Sequence, residues 1–127
     1  MSERTLWILP VSSTAFEEGG SVLEDRPGRE IAVRFSFERD DDLVRTGVVF
    51  EGVEAFRVTY MSALDQAMRA AYDKLIDRGA TDWLELIVTE MTRLGHDSDD
   101  VKHLMILFDD GPCYEVICRS FRVEESP

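Results

Sequence analysis

Cys118 and His103 carry the most reactive chemistry in this chain: an imidazole beside a thiol can draw off its proton and leave a nucleophilic thiolate. Their spacing brings them together. Asp109-Asp110-Gly111-Pro112 separates two apolar runs, and Asp110-Gly111 suits the two central positions of a type I′ turn. In a hairpin closed by those two residues, Asp109 faces Pro112 and His103 falls opposite Cys118. The same register surrounds the pair with Val101, Met105, Leu107, Tyr114 and Val116. Apolar surroundings disfavour both charged forms. The competing reading is therefore a core thiol beside a neutral histidine, and a one-residue slip would separate the two.

Glu115 follows from the same hairpin. It would face Ile106 on the opposite side, near Leu104 and Ile117. Buried there, it needs a cation such as Arg119 or Arg122. Beside a pocket it would be the first choice for a group that contacts a ligand; near the end of the sheet it would be exposed. His103, Glu115 and Cys118 are thus the candidate ligand-binding residues, and no catalytic set is assigned.

The acidic turns are a second source of chemistry, because Asp40-Asp41-Asp42, Asp97/Asp99/Asp100 and Asp109-Asp110 present oxygen ligands suited to a hard cation. An EF-hand loop counted from Asp97 fails: Lys102 stands at the sixth position, which needs glycine, and Phe108 at the twelfth, which needs a bidentate glutamate. Asp is also a turn residue, since its side chain bonds nearby backbone N–H groups. Solvated turns are the expectation, with no metal and no cofactor. The chain contains no P-loop, dinucleotide fingerprint, nucleophile elbow, HExxH or paired CxxC.

The elements that must hold these residues follow from periodicity. Thr5–Leu9 reads as a strand stopped by Pro10. Residues 11–29, rich in Ser, Gly, Glu and Pro, read as a mobile loop, with Val22 and Leu23 able to pin its middle to the core. Ile31, Val33, Phe35 and Phe37 alternate with polar residues as in a half-buried strand. Val44–Phe50, with Gly47 as a bulge or close-approach site, and the run Phe56, Val58, Tyr60 complete an antiparallel meander. Leu64, Met68, Ala71, Leu75 and Ile76 then recur three to four apart, which predicts a helix capped by Ser62 and closed by Gly79. Thr81 caps a second helix over Asp82–Leu94, closed by Gly95. Trp83 and Leu86 widen its apolar surface beyond a stripe, making them the candidate partner-binding residues. Val101–Phe108 is apolar on both faces, as in a strand covered on both sides. Tyr114–Val123 returns as the last strand, with 124–127 frayed.

The predicted order is β, long loop, βββ, αα, ββ. It describes an α+β fold: an antiparallel sheet of five to six strands with a helix pair packed on one face. The alternative is a two-sheet β-sandwich with a helical insertion. The 127 residues suit a single domain, 1–127.

Composition bounds the partners. Acidic residues outnumber basic ones 26 to 14, for a net charge of −12, and the surplus is shared between both halves of the chain. That field repels phosphate backbones and anionic membranes, so neither nucleic acid nor membrane is an expected partner. It would steer a basic protein onto the surface. Cys113 and Cys118, if on one extended strand, lie about 17 Å apart, beyond disulfide reach. Free thiols fit a reducing compartment. The start, Met1-Ser2-Glu3-Arg4, lacks the pattern of a signal peptide, and a cytoplasmic location is expected. The expected function is a non-enzymatic interaction domain for a basic protein partner, as an immunity protein or antitoxin would be, with self-association as a homodimer also open. The alternative is a small-molecule-binding domain or minor enzyme with a pocket between sheet and helices.

Overall fold

The computed structural model describes residues 3–17, 19–60, 63–109 and 112–126. Among these the chain forms strands β1 (Arg4–Ile8), β2 (Val22–Arg26), β3 (Glu30–Arg39), β4 (Asp42–Glu51), β5 (Ala55–Thr59) and β6 (Lys74–Asp77), helix α1 (Asp82–Arg93), and strands β7 (Lys102–Leu107), β8 (Cys113–Cys118) and β9 (Ser120–Ser126). The strands make two antiparallel sheets, in the orders β1-β6-β7-β8-β5 and β2-β3-β4-β9. Their facing surfaces enclose a core that includes Ile31, Val33, Phe35, Val48, Phe50, Leu75, Leu104, Ile106, Val116 and Cys118. A second cluster on the outer face of the five-stranded sheet joins Met68, Ala71, Ile76, Met105, Leu107 and Cys113. β7 is therefore covered on both sides, as its two-faced apolar sequence requires.

The α+β expectation is corrected: the fold is mostly β, with one helix in place of a pair. The 3.6-residue period of Leu64, Met68, Ala71 and Leu75 produces only a 3₁₀ turn over Met68–Ala71, opened by Asp65 Oδ1 accepting from the Met68 N–H at 2.9 Å. Asp73 then adopts φ 56° and breaks the helical path. Leu75 turns into the inter-sheet core and Ile76 to the outer cluster, which an alternating strand permits and one helix face does not. Pairing with β1 and β7 on either side outweighs the local helical preference. The proposed cap Ser62 lies outside the described residues.

The expected meander also fails beyond its first hairpin. β3 and β4 pair from Glu30↔Glu51 to Arg39↔Asp42, across a turn with Asp40 and Asp41 at φ 53° and 67°. β5 instead crosses to the other sheet and pairs with β8. The last strand breaks at Arg119 into β8 and β9, and β9 returns to β4 and extends to Ser126. Residues 11–29, expected as a loop, contain a 3₁₀ turn (Ser13–Ala15) and β2. This segment is pinned by Leu23 and by Phe16, whose ring stacks on Phe35 at 4.1 Å.

Helix α1 forms as its sequence indicates. The Thr81 hydroxyl accepts from the Leu84 N–H at 3.2 Å, and Asp82 and Glu85 occupy the favourable first turn. No helix among the described residues is long and apolar enough to cross a membrane.

Gly47 is a close-approach site. A Cβ there would run into the Val33 carbonyl and lie 2.8 Å from the Arg34 Cα, both main-chain atoms that cannot swing aside. Gly47→Ala is expected to cost about 2 kcal/mol, seen as a fall of roughly 8 °C in thermal unfolding. An unchanged Tm would contradict this packing.

Candidate functional site

The hairpin that carries the candidate residues is shifted by one position from the expected register. Leu107 pairs with Cys113, His103 with Ile117 and Lys102 with Cys118. The connection therefore spans Phe108–Pro112 rather than two residues; Asp110-Gly111, the expected turn centre, lies outside the described residues. With a side-chain period of two, the slip sends His103 and Cys118 to opposite faces. Cys118 enters the inter-sheet core and His103 points to the outer face, so the His103–Cys118 pair does not form. Burial pushes both the Cys113 and Cys118 thiols up to about 12, which makes them poor nucleophiles. They occupy opposite ends of β8 as free cysteines.

The same slip places Glu115 beside His103. Glu115 is fully buried, and its partners are not Arg119 or Arg122. Arg57, directly opposite it on β5, donates from Nε to Oε2 at 2.8 Å and from the terminal nitrogen to Oε1 at 3.1 Å. His103 Nε2 lies 2.8 Å from Oε1. Burial opposes ionisation of Glu115, but the hydrogen bonds from His103 and Arg57 outweigh it and hold the carboxyl at about 2. A carboxylate can only accept, so the imidazole proton belongs on Nε2. Nδ1 lies 2.7 Å from the Thr81 hydroxyl, from which it accepts when the ring is neutral, while the Thr81 oxygen accepts from the Leu84 N–H.

Trp83 closes the cluster from above. Its ring lies under the Arg57 guanidinium at 4.1 Å and meets the His103 ring edge-on at 5.1 Å. Trp83 is thus half-buried over the polar chain, whereas Leu86, one turn on, is 61% exposed. Thr81, His103, Glu115, Arg57 and Trp83 form one connected set that joins the start of α1, two central strands and the edge strand β5. No family model, curated protein or solved structure matches the chain. Its chemistry has to be read from the residues themselves.

The Thr–His–Glu order resembles a proton relay, yet each member is committed inward. The Thr81 oxygen caps α1, and His103 and Glu115 are 1% and 0% exposed. A cleft of about 480 Å³ is lined by Gly79, Ala80, Leu84 and Val101 together with the charged residues Glu3, Arg4, Asp77 and Lys102. Thr81, His103 and Glu115 are not part of its lining. The set therefore acts as a clamp holding α1 and β5 onto the sheet. The acidic turns likewise serve local geometry where they make bonds: Asp97 Oδ1 accepts from the Asp99 N–H at 2.9 Å.

Arg57 is the member that sequence reasoning missed. Its alternation on a strand was visible, but its partner depended on which sheet β5 joins. Thr81 was legible as a cap and not as a partner of His103.

A carboxyl held below its ordinary value stabilises the fold at neutral pH, and the contribution is lost as pH falls. Glu115 therefore contributes fully above about pH 5 and loses roughly 3 kcal/mol between the ordinary value of 4.5 and about 2. Denaturant unfolding from pH 7 to pH 2 should show wild type losing its advantage over Glu115→Gln across that window. A constant difference between the two proteins would contradict the assignment.

Proposed function

We propose that the protein is a non-enzymatic interaction domain that binds a basic protein partner through its acidic surface. The supporting observation is where the charges go. Arginines are spent on the protein's own carboxylates: Arg26 and Arg34 on Glu124, Arg122 on Glu30 and Glu51, Arg29 on Glu54, and Arg57 on Glu115. The first three sit on the outer face of the four-stranded sheet, which these pairs leave close to neutral. The surplus behind the net charge of −12 lies elsewhere. Asp40, Asp41 and Asp42 at the β3–β4 turn, Asp82 and Glu85 on α1, and Asp97, Asp99 and Asp100 before β7 are all exposed. None of them has an ion-pair partner among the described residues.

Unpaired carboxylates in several separate places produce a field rather than a local contact. A field of this kind raises the encounter rate with a cationic surface and falls off with salt. Half-exposed apolar side chains interleaved with it, such as Leu86 and Phe56, supply area that excludes water once the partner is seated.

Affinity capture from native lysate on the immobilised protein, compared with a variant carrying Asp40→Lys, Asp42→Lys and Asp99→Lys, tests the reading. A partner of basic composition should be retained at low salt and released as ionic strength rises. The charge-reversed variant should retain it at least about tenfold less. Retention that ignores both salt and charge reversal, or no partner at all, would count against it.

A further inference from the structure

The two sheets do not close on each other, and one open side lies between β5 and the β2–β3 hairpin. β5 is the last strand of its sheet, paired through Arg57↔Glu115 and its neighbours to β8 and to no other described strand. In an antiparallel ladder alternate N–H and C=O groups point away from the partner strand, so one side of β5 presents unpaired backbone groups. Arg57 is held from the outer face by Glu115, which keeps the strand extended and in place.

The inner side of this edge is a cleft of about 360 Å³. Its floor is apolar: Ile31, Val53 and Phe56, the last 46% exposed. Its rim is acidic. Asp25 pairs with Ile31 across the hairpin and therefore projects to the inner side, where it lines the cleft. Glu30 is engaged by Arg122, and Glu54 by Arg29. Asp25 has no ion-pair partner among the described residues. An apolar floor ending at a free carboxylate matches a lysine or arginine side chain, whose aliphatic stem lies on apolar surface while its head stays at the charged rim.

The strand edge and the cleft fit together through the period of a β-strand. Alternate residues of a strand added to β5 point to the side on which Phe56 lies, towards the cleft. We propose that β5 is the docking edge for an extended segment of the basic partner, which adds as a sixth strand and sends alternate basic side chains into the cleft beside Asp25. This rests on the basic-partner reading above and gives it a location.

The test uses the full chain and a synthetic peptide of alternating valine and lysine. Two controls accompany it: the same peptide with backbone N-methylation, and one with glutamate in place of lysine. Amide chemical shifts are followed by NMR. The valine–lysine peptide should perturb Ala55–Thr59 and the Asp25 region. N-methylation should abolish binding, because it removes the strand hydrogen bonds without altering charge. Asp25→Lys, an exposed change, should weaken binding about tenfold. Shifts confined to Asp40–Asp42 or α1, with N-methylated peptide binding equally well, would overturn the docking edge and leave the basic-partner reading standing. No binding of either lysine peptide would overturn both. Dimers in sedimentation that compete with the peptide for β5 would replace the basic segment with a second copy of this chain.

Discussion

A carboxylate with no exposure to solvent sits on the outer face of the five-stranded sheet, and Arg57, His103, Thr81 and Trp83 are arranged around keeping it charged. Removing Glu115 from water costs several kcal/mol, and the attraction of one half-exposed arginine would not offset that alone. Three donors do: Nε and one terminal nitrogen of Arg57, and Nε2 of His103. Each donor brings an element with it. Arg57 fixes β5, and His103 hands the connection on to Thr81 and so to the first turn of α1. Only Met91 of the helix is buried. That anchor lies near its C-terminal end; at the N-terminal end Thr81 bonds inward and Trp83 stacks on the Arg57–His103 surface.

The second constraint is a ribbon that changes sheets. β4 runs on into β5 and β8 into β9, and both cross at the same corner. Gly52 adopts φ 65° there, the Arg119 N–H donates to the Glu51 carbonyl at 3.0 Å, and the Glu54 N–H donates to the Ile117 carbonyl at 2.8 Å. Arg119 also donates to the carbonyls of Asp97 and Asp99, which ties the loop before β7 to the corner. Because the pair swaps positions as it crosses, β5 becomes the edge of one sheet and β9 the edge of the other. The free edge beside the Asp25 cleft is thus a consequence of the topology that puts Arg57 opposite Glu115.

Local pattern was legible wherever one residue and its neighbours decide the outcome. The alternation of Ile31, Val33, Phe35 and Phe37, the Thr81 cap, the two-faced β7 and the close approach at Gly47 all depend on short range. What failed depends on long range. The apolar spacing from Leu64 to Ile76 is compatible with a helix until β1 and β7 offer a slot between them. The destination of β5 is set by β8, some sixty residues later, and nothing in Phe56–Tyr60 announces it. Register was the costliest error in chemical terms: one residue exchanged a Cys–His contact for a Glu–His one. Both hairpins are plausible from sequence, and the longer connection at Phe108–Pro112 separates them. Glu115 was recognised as needing a cation, but Arg57 could not be chosen over Arg119 or Arg122 without the sheet order.

The reactive side chains thus hold the architecture, and the proposed function rests instead on charge and a strand edge at the surface. The claim that one buried carboxylate clamps α1 and β5 is most directly tested by native-state hydrogen exchange on wild type and Glu115→Gln. If the clamp is real, amides of α1 and β5 lose protection in the variant well beyond any change in β3 and β4, which pair in the other sheet. Equal loss across both sheets, or no loss in α1 and β5, would contradict it.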